Sequence, residues 1–109
     1  MSDSLPAADA AESVLTEALR ITSGARRRDY DGATANHDRI AGAWNWFLAN
    51  RATQTVPFVP VSAADVAQMM ILLKISRNLY TPKRDNLVDI AGYARCVAQI
   101  EGFEPEVAE

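Results

Sequence analysis

Two carboxylates and four cations gather around one break in this sequence, Thr81-Pro82. Asp85 and Asp89 are four residues apart. On a helix that spacing puts both on one face, with Cβ atoms ~6 Å from each other. Like charges that close repel unless something positive sits between them. The pair is therefore a candidate site for a hard cation such as Mg²⁺. Lys74 and Arg77 are one turn apart on the preceding segment, and Lys83 and Arg84 lie at the same end. Cations of this kind hold phosphate. One reading is nucleotide hydrolysis: Asp85 and Asp89 are catalytic and hold Mg²⁺, the metal activates a water, and Lys74 and Arg77 stabilise developing charge. Tyr93 lies beside the aspartate stripe. Gly92, next to it, permits close approach of a backbone or a ligand. The structural reading of the same residues is a salt-bridge network, with Asp89 as third residue of an Asn86 capping box.

A second candidate is Arg26-Arg27-Arg28-Asp29-Tyr30. Arg28 and its neighbours can grip phosphate while Tyr30 stacks a base. Asn36 and Arg39 follow closely and belong to the same wall. The plain alternative is a surface patch that complements a helix dipole. His37, the only histidine, has no nucleophile partner that spacing identifies, so a catalytic triad is unsupported and it reads as a helix-start residue. Asp65 reads as a capping residue. Glu17 reads as a surface residue, with completion of the carboxylate cluster as its alternative. Cys96 is the only cysteine, which excludes an internal disulfide and suits a reducing cytoplasm. It lies on an apolar stripe and reads as an inert core thiol.

The elements that position these groups are helices. The first is expected over 6–23, with Ala11, Val14, Ala18 and Ile21 on one stripe and Gly24 as a stop. The second spans 36–52, with Ile40, Trp44, Phe47 and Leu48 on one face and Trp46 pointing away. Residues 53–61 contain Val56-Pro57-Phe58-Val59-Pro60-Val61, whose two prolines exclude a central strand, so an apolar extended segment covering the helices is expected. The third helix spans 62–80, opened by a Ser62/Asp65 capping box. Its stripe is Val66, Met70, Leu73 and Arg77. The fourth spans 85–101, capped by Asn86 or Asp85, and the last two form the central hairpin. The expected fold is all-α: a compact four-helix bundle over 6–102, with a proline-flanked extended segment between helices 2 and 3 and tails at 1–5 and 103–109.

The chain has 109 residues, 49% hydrophobic and 23% charged, with net charge −3. That is one globular domain rather than a disordered chain. The acidic balance argues against direct duplex DNA binding. No apolar run reaches the ~20 residues of a membrane span, and no signal peptide is read, so a cytoplasmic protein is expected.

Particular residues also carry a resemblance. Gly24, Asp29-Tyr30, Asn36, Arg39-Ile40-Ala41 and Trp44 form its first part. The stronger part is Asp65-Val66-Ala67, Met69-Met70, Leu72-Leu73-Lys74-Ile75 and Arg77, followed by the unbroken run from Pro82-Lys83-Arg84-Asp85-Asn86 to Asp89-Ile90-Ala91-Gly92-Tyr93-Ala94. Over about 15–100 the chain resembles a family of small helical proteins of unknown function from tailed phages and prophages. Two departures stand out: Asp31 precedes Gly32 where the family usually has glycine at once, and Ala25 stands where the family often has aspartate. More distantly the chain is similar to phage nucleotide-modification-associated domains and to MazG-like all-α pyrophosphohydrolases. The latter hold Mg²⁺ with a Glu-x-x-Glu pair on one helix and a Glu-x-x-Asp pair on the next; the third and fourth helices expected here carry neither, since Asp85 and Asp89 are four apart and the third helix offers only Asp65. The resemblance implies a phage-borne or prophage-borne cytoplasmic protein and brings no activity.

Three functional expectations follow: a nucleotide or nucleotide-derived signal held between helices 3 and 4 and hydrolysed with Mg²⁺; sequestration of a host-defence nucleotide messenger without chemistry; or an interaction module that inhibits a host factor through Trp46 and residues 56–61. Pockets in small bundles often form between subunits. A homo-oligomer, a dimer, is therefore expected from Trp46 and the proline-flanked segment.

Overall fold

The computed structural model describes residues 12–24 and 32–106. Within them the chain forms four helices and no strand: α1 (Val14–Ile21), α2 (Gly32–Arg51), α3 (Ala63–Tyr80) and α4 (Arg84–Ile100). The all-α expectation holds. α4 packs against each of the other three helices, while α1 touches only α4 among the described residues. The centre of the fold is therefore α4 rather than the α3–α4 hairpin as a whole.

Three of the boundaries have a local cause. Ser13 caps α1 by accepting from the Thr16 N–H at 3.0 Å. The helix thus begins at Val14, and Glu12 and Ser13 lie outside the helix expected from residue 6; residues 6–11 lie outside the described set. The Ser62/Asp65 capping box is present in both directions, at 3.0 and 3.1 Å. α4 closes with Gly102 at φ 87, and the Phe103 N–H reaches back to Ala98 O at 2.8 Å, a hydrogen bond that the left-handed glycine makes possible.

α2 starts four residues before the expected position. The donor-rich start of a helix needs acceptors. Here they come from Glu106, whose carboxylate accepts from the Thr34 N–H at 2.8 Å and from the Thr34 hydroxyl at 2.5 Å. Gly32, at φ 85, lies directly beneath: a Cβ there would stand 2.9 Å from Glu106 Oε1. Part of the expected 103–109 tail is thus tied to the body. Gln99 holds the same segment, its Nε2 donating to Pro105 O and to Thr22 O.

The core is built of small residues. Ala33, Ala67 and Cys96 meet at its centre, with Tyr93, Val97 and Ile100 packed around them. Cys96 is a buried core thiol, as read from its stripe. Ala33, His37 and Ala41 recur every fourth residue along α2 and are all buried. That stripe corrects two expectations. His37 is an interior helix residue, 2% exposed, whose Nδ1 donates to Ala33 O at 2.9 Å. Phe47 lies about 80° off the centre of the stripe, and it is 60% exposed rather than core. Trp46 is exposed, as expected.

α3 is also less buried than its composition suggested. Val66 and Ala67 are fully buried, but Leu72, Leu73, Ile75, Leu79 and Tyr80 are exposed. Its buried residues, Ala63, Val66 and Ala67, all lie in the first two turns, where Ala67 meets Ala33 of α2 and Cys96 of α4.

Residues 52–61 form no strand; the chain bends at 54–56, where the Thr53 N–H reaches Val56 O at 2.8 Å, and the segment does not cover the helices: Val56, Phe58 and Val59 are exposed. Asn45 fixes the end of this segment. Its side-chain amide donates to Val61 O at 3.0 Å and its Oδ1 accepts from the Val61 N–H at 2.8 Å. The side chain thus pairs with both backbone groups of one residue, as a neighbouring strand would. Asn45→Ala leaves both backbone groups half-buried and unpaired, and should lower stability by about 1–3 kcal/mol. Urea unfolding followed by circular dichroism reads this directly; a loss under about 0.5 kcal/mol would show that water replaces the amide.

Candidate functional site

Pro82 keeps Thr81 out of helical geometry, and Thr81 is extended at φ −144, ψ 109. The connection is therefore short, and α3 and α4 lie antiparallel. α4 begins at Arg84 with Lys83 as its cap residue, and Lys83 makes no side-chain cap bond. Asn78, on α3, supplies what is missing. Its Oδ1 accepts from the Lys83 N–H at 2.9 Å and from the Asn86 side-chain amide at 3.4 Å. The expected Asn86 or Asp85 cap, and the Asn86–Asp89 box, are replaced by this contact across the hairpin.

The hairpin sets Lys74 opposite Asp89. Lys74 Nζ lies 2.9 Å from Asp89 Oδ2, with the lysine side chain 16% exposed and the aspartate 35%. Tyr93, one turn further along α4, is half-buried, and its ring meets His37 edge-on at 6.1 Å between centroids. Lys74, Asp89, Tyr93 and His37 thus form one partly dry polar cluster contributed by three helices. Burial pushes the Tyr93 hydroxyl above its ordinary pKa; Asp89 acts in the same direction, and Lys74 opposes it.

The pH consequence follows from the sign. A hydroxyl whose folded pKa lies above its unfolded value of 10.0 contributes stability that is complete below pH 10 and is lost as pH rises through the folded value. In urea titrations above pH 10 the wild type should therefore lose a contribution that Tyr93→Phe never had, and tyrosinate absorbance should show one late-ionising residue. Parallel stability curves for the two proteins would contradict the burial argument.

The other expected site residues are distributed unevenly. Arg77, Lys83 and Asp85 stand exposed at the hairpin end, with no ion pair among the described residues. Asp85 is in the first turn of α4, where a negative charge suits the helix dipole. Arg84 turns the other way, toward α1. It donates to Glu17 Oε1 at 2.5 Å and to Glu12 O at 2.5 Å. Glu17 is thereby a clamp for α1 rather than a member of a carboxylate cluster. Asp65 serves its capping box. Asn36 and Arg39 flank His37 on α2. Arg28 and Tyr30 lie outside the described residues. Gly92 gives close approach to a protein side chain, since a Cβ there would lie 3.6 Å from Thr22 Cγ2.

Among the described residues no three His, Cys, Asp or Glu side chains converge as a metal-binding group. Asp89, expected to share a cation with Asp85, has the Lys74 ammonium instead. What the arrangement offers is an ion pair, Lys74 with Asp89, beside the half-buried Tyr93 phenol, and two exposed cations, Arg77 and Lys83, toward the hairpin end. Among the described residues no helix is long and apolar enough to cross a membrane.

Sequence reasoning missed Asn45, Asn78, Arg95 and Gln99. Each acts on a backbone group far away in sequence or across a hairpin, and no local spacing announces such a partner.

Comparison with known proteins matches the same helical body. A family model described as a domain of unknown function, DUF6378, covers residues 13–101. Those limits are the residue that caps α1 and the residue that caps the end of α4. The chain is 42% identical over 95 residues to the Gene 55 protein of Mycobacterium phage L5, an alignment covering 86% of this chain and 56% of that protein. It is 38% identical over 90 residues to the Gene 55 protein of Mycobacterium phage D29, covering 82% of this chain and 54% of that protein. The chain thus spans about half the length of the curated relatives it matches. No solved structure matches. From the α1 cap to the end of α4, the chain belongs to the DUF6378 family, whose function is unknown and whose relatives here are mycobacteriophage proteins.

Proposed function

We propose that this protein is a phage or prophage accessory factor that binds a nucleotide or nucleotide-derived signal at the α3–α4 hairpin and holds it without breaking a bond. The observation that carries this reading is the charge arrangement. Asp89 is already neutralised by Lys74, whereas Arg77 and Lys83 are exposed and have no carboxylate partner among the described residues. Free guanidinium and ammonium groups suit phosphate, and an arginine can take two of its oxygens at once. Tyr93 adds a partly dry aromatic wall. Sequestration of a host-defence messenger fits such a site, in the cytoplasm of the host cell.

Hydrolysis with Mg²⁺ is the variant of this reading in which Asp89 leaves Lys74 and joins Asp85 on the metal. A MazG-like mechanism would require that rearrangement. An interaction module is favoured by a separate observation, the exposure of Trp46, Phe47, Phe58 and Val59.

Calorimetric titration with nucleoside mono-, di- and triphosphates and cyclic dinucleotides, with and without Mg²⁺, separates these readings. The expected result is binding that needs no metal, intact ligand recovered after denaturation, and a roughly tenfold or greater loss in Arg77→Ala, as for one charge-assisted contact. Metal-dependent binding with cleavage that Asp89→Asn abolishes would replace sequestration by catalysis. No binding by any compound would remove the nucleotide reading.

A further inference from the structure

Two aspartates reach the hairpin, and the structure treats them differently. Asp89 takes Lys74 at 2.9 Å. One turn toward the hairpin end from that pair stand Arg77 on α3 and Asp85 on α4, three residues from Lys74 and four from Asp89. At those spacings residues share a helix face with the members of the pair. Arg77 and Asp85 do not repeat the pairing. Both are exposed, and no ion pair joins them. Lys83 stands at the same end. Asn78, next to Arg77 in the chain, accepts from the Lys83 N–H at 2.9 Å, so the Lys83 backbone lies beside the last turn of α3. Arg84 is engaged elsewhere, on Glu17. Among the described residues, two open cations against one open carboxylate leave a single net positive charge at the hairpin end.

We propose that Asp85 is a specificity-determining residue of this site, and that the ligand it admits is a phosphodiester rather than a terminal phosphate. The inference rests on the nucleotide reading above and narrows it. A diester shares one charge between two oxygens, and the fork of a guanidinium such as Arg77 takes both at once. One such group matches the single net charge of the site. A terminal phosphate spreads close to two charges over three oxygens once pH exceeds its second pKa of ~6. Its second charge meets Asp85 with no further cation to offset it. A like charge set beside a site is a means of rejecting the wrong ligand. Near a protein surface, at separations of ~6–8 Å, one extra like charge weakens binding roughly three- to tenfold. The fold itself asks little of Asp85: its side chain makes no ion pair, and its one structural merit on view is a favourable place in the first turn of α4.

Amide NMR titrations of the full chain with EDTA, at about pH 8 where terminal phosphates are fully ionised, test this. The probes are adenosine 5′-(methyl phosphate), 5′-AMP and ATP, which differ in the charge of the phosphate group. A plain cation site ranks them by charge, with ATP tightest. The wild type is expected to bind the methyl diester at least as tightly as AMP or ATP. In Asp85→Asn, AMP and ATP should each gain roughly three- to tenfold relative to the diester. Asp85→Glu keeps the charge and should keep the wild-type ranking. The residue is exposed, so the circular dichroism melts of both variants should follow wild type. AMP or ATP tighter than the diester in the wild type overturns the proposal and leaves the nucleotide reading in place. So does a ranking that Asp85→Asn leaves unchanged, or one that Asp85→Glu alters as much as Asp85→Asn does. No shift with any probe removes the nucleotide reading of the hairpin, and this proposal with it.

Discussion

Val66→Asp leaves the chain unfolded at room temperature. Val66 is 0% exposed and sits on the first turn of α3, next to Ala67, which meets Ala33 of α2 and Cys96 of α4. A carboxylate placed there would be taken out of water. The effective penalty for an unpaired buried ion is several kcal/mol, comparable to the 5–15 kcal/mol that a domain of ordinary stability possesses. A core made mostly of alanine has little apolar burial to spare against that loss. Val66→Ala is the control, expected to remain folded with a cost of about 2 kcal/mol for the missing methyl groups. Far-UV circular dichroism with urea titration decides the matter. A cooperative transition for Val66→Asp within about 1 kcal/mol of wild type would mean that water reaches the α2–α3–α4 junction.

Arg95→Ala should release α1 and cost about 2–4 kcal/mol. Hydrogen bonds to a charged group contribute ~1.5–3 kcal/mol, and those of one guanidinium are not additive. The Arg95 side chain is 14% exposed and reaches Glu104 at 3.0 Å. Its Nη1 donates to Thr22 O and to Thr22 Oγ1, each at 3.1 Å, and to Ser23 Oγ. One side chain on α4 thus holds the end of α1 and the segment after α4 together. α1 has no second helix to rest on among the described residues, so its protection depends on this clasp, on Gln99 and on the Arg84–Glu17 pair. Hydrogen exchange should show residues 14–21 losing protection while residues 84–100 keep theirs. Arg95→Lys should not rescue, because one ammonium cannot span acceptors on both sides. Unchanged exchange over 14–21 would place the hold on α1 elsewhere.

These two residues illustrate different degrees of legibility. Val66 stood on a visible stripe in a segment whose start was marked by Ser62 and Asp65. Its burial follows from period and cap, both of them local. Arg95 belongs to no pattern. Its acceptors are backbone oxygens some 70 residues earlier and a carboxylate in a segment that composition marked as a tail.

The hairpin shows the same division within a single site. Proline at position 82 and the helical spacing around it brought Lys74, Arg77, Asp85 and Asp89 to one end, and the sequence shows that much. Which carboxylate takes which cation depends on the rotation of two helices about their axes. That rotation is fixed by small residues in the core, not by the charges themselves. The result pairs Lys74 with Asp89, turns Arg84 to α1, and leaves Arg77, Lys83 and Asp85 in water.

The sequence by itself determined the helical class, the break at Pro82, the Ser62 capping box, the non-strand character of residues 53–61, the outward Trp46 and the core position of Cys96. Each depends on residues within one or two turns of one another, where backbone sterics and periodicity suffice. Tertiary structure alone decided that α2 begins at Gly32, because its acceptor is Glu106. It also decided that His37 lies in the interior, because Ala33 and Ala41 let the neighbouring helices approach closely. The bare outer face of α3 has the same origin. Helical periodicity marks which residues are apolar, but the number of helices available to cover them is a property of the packed chain.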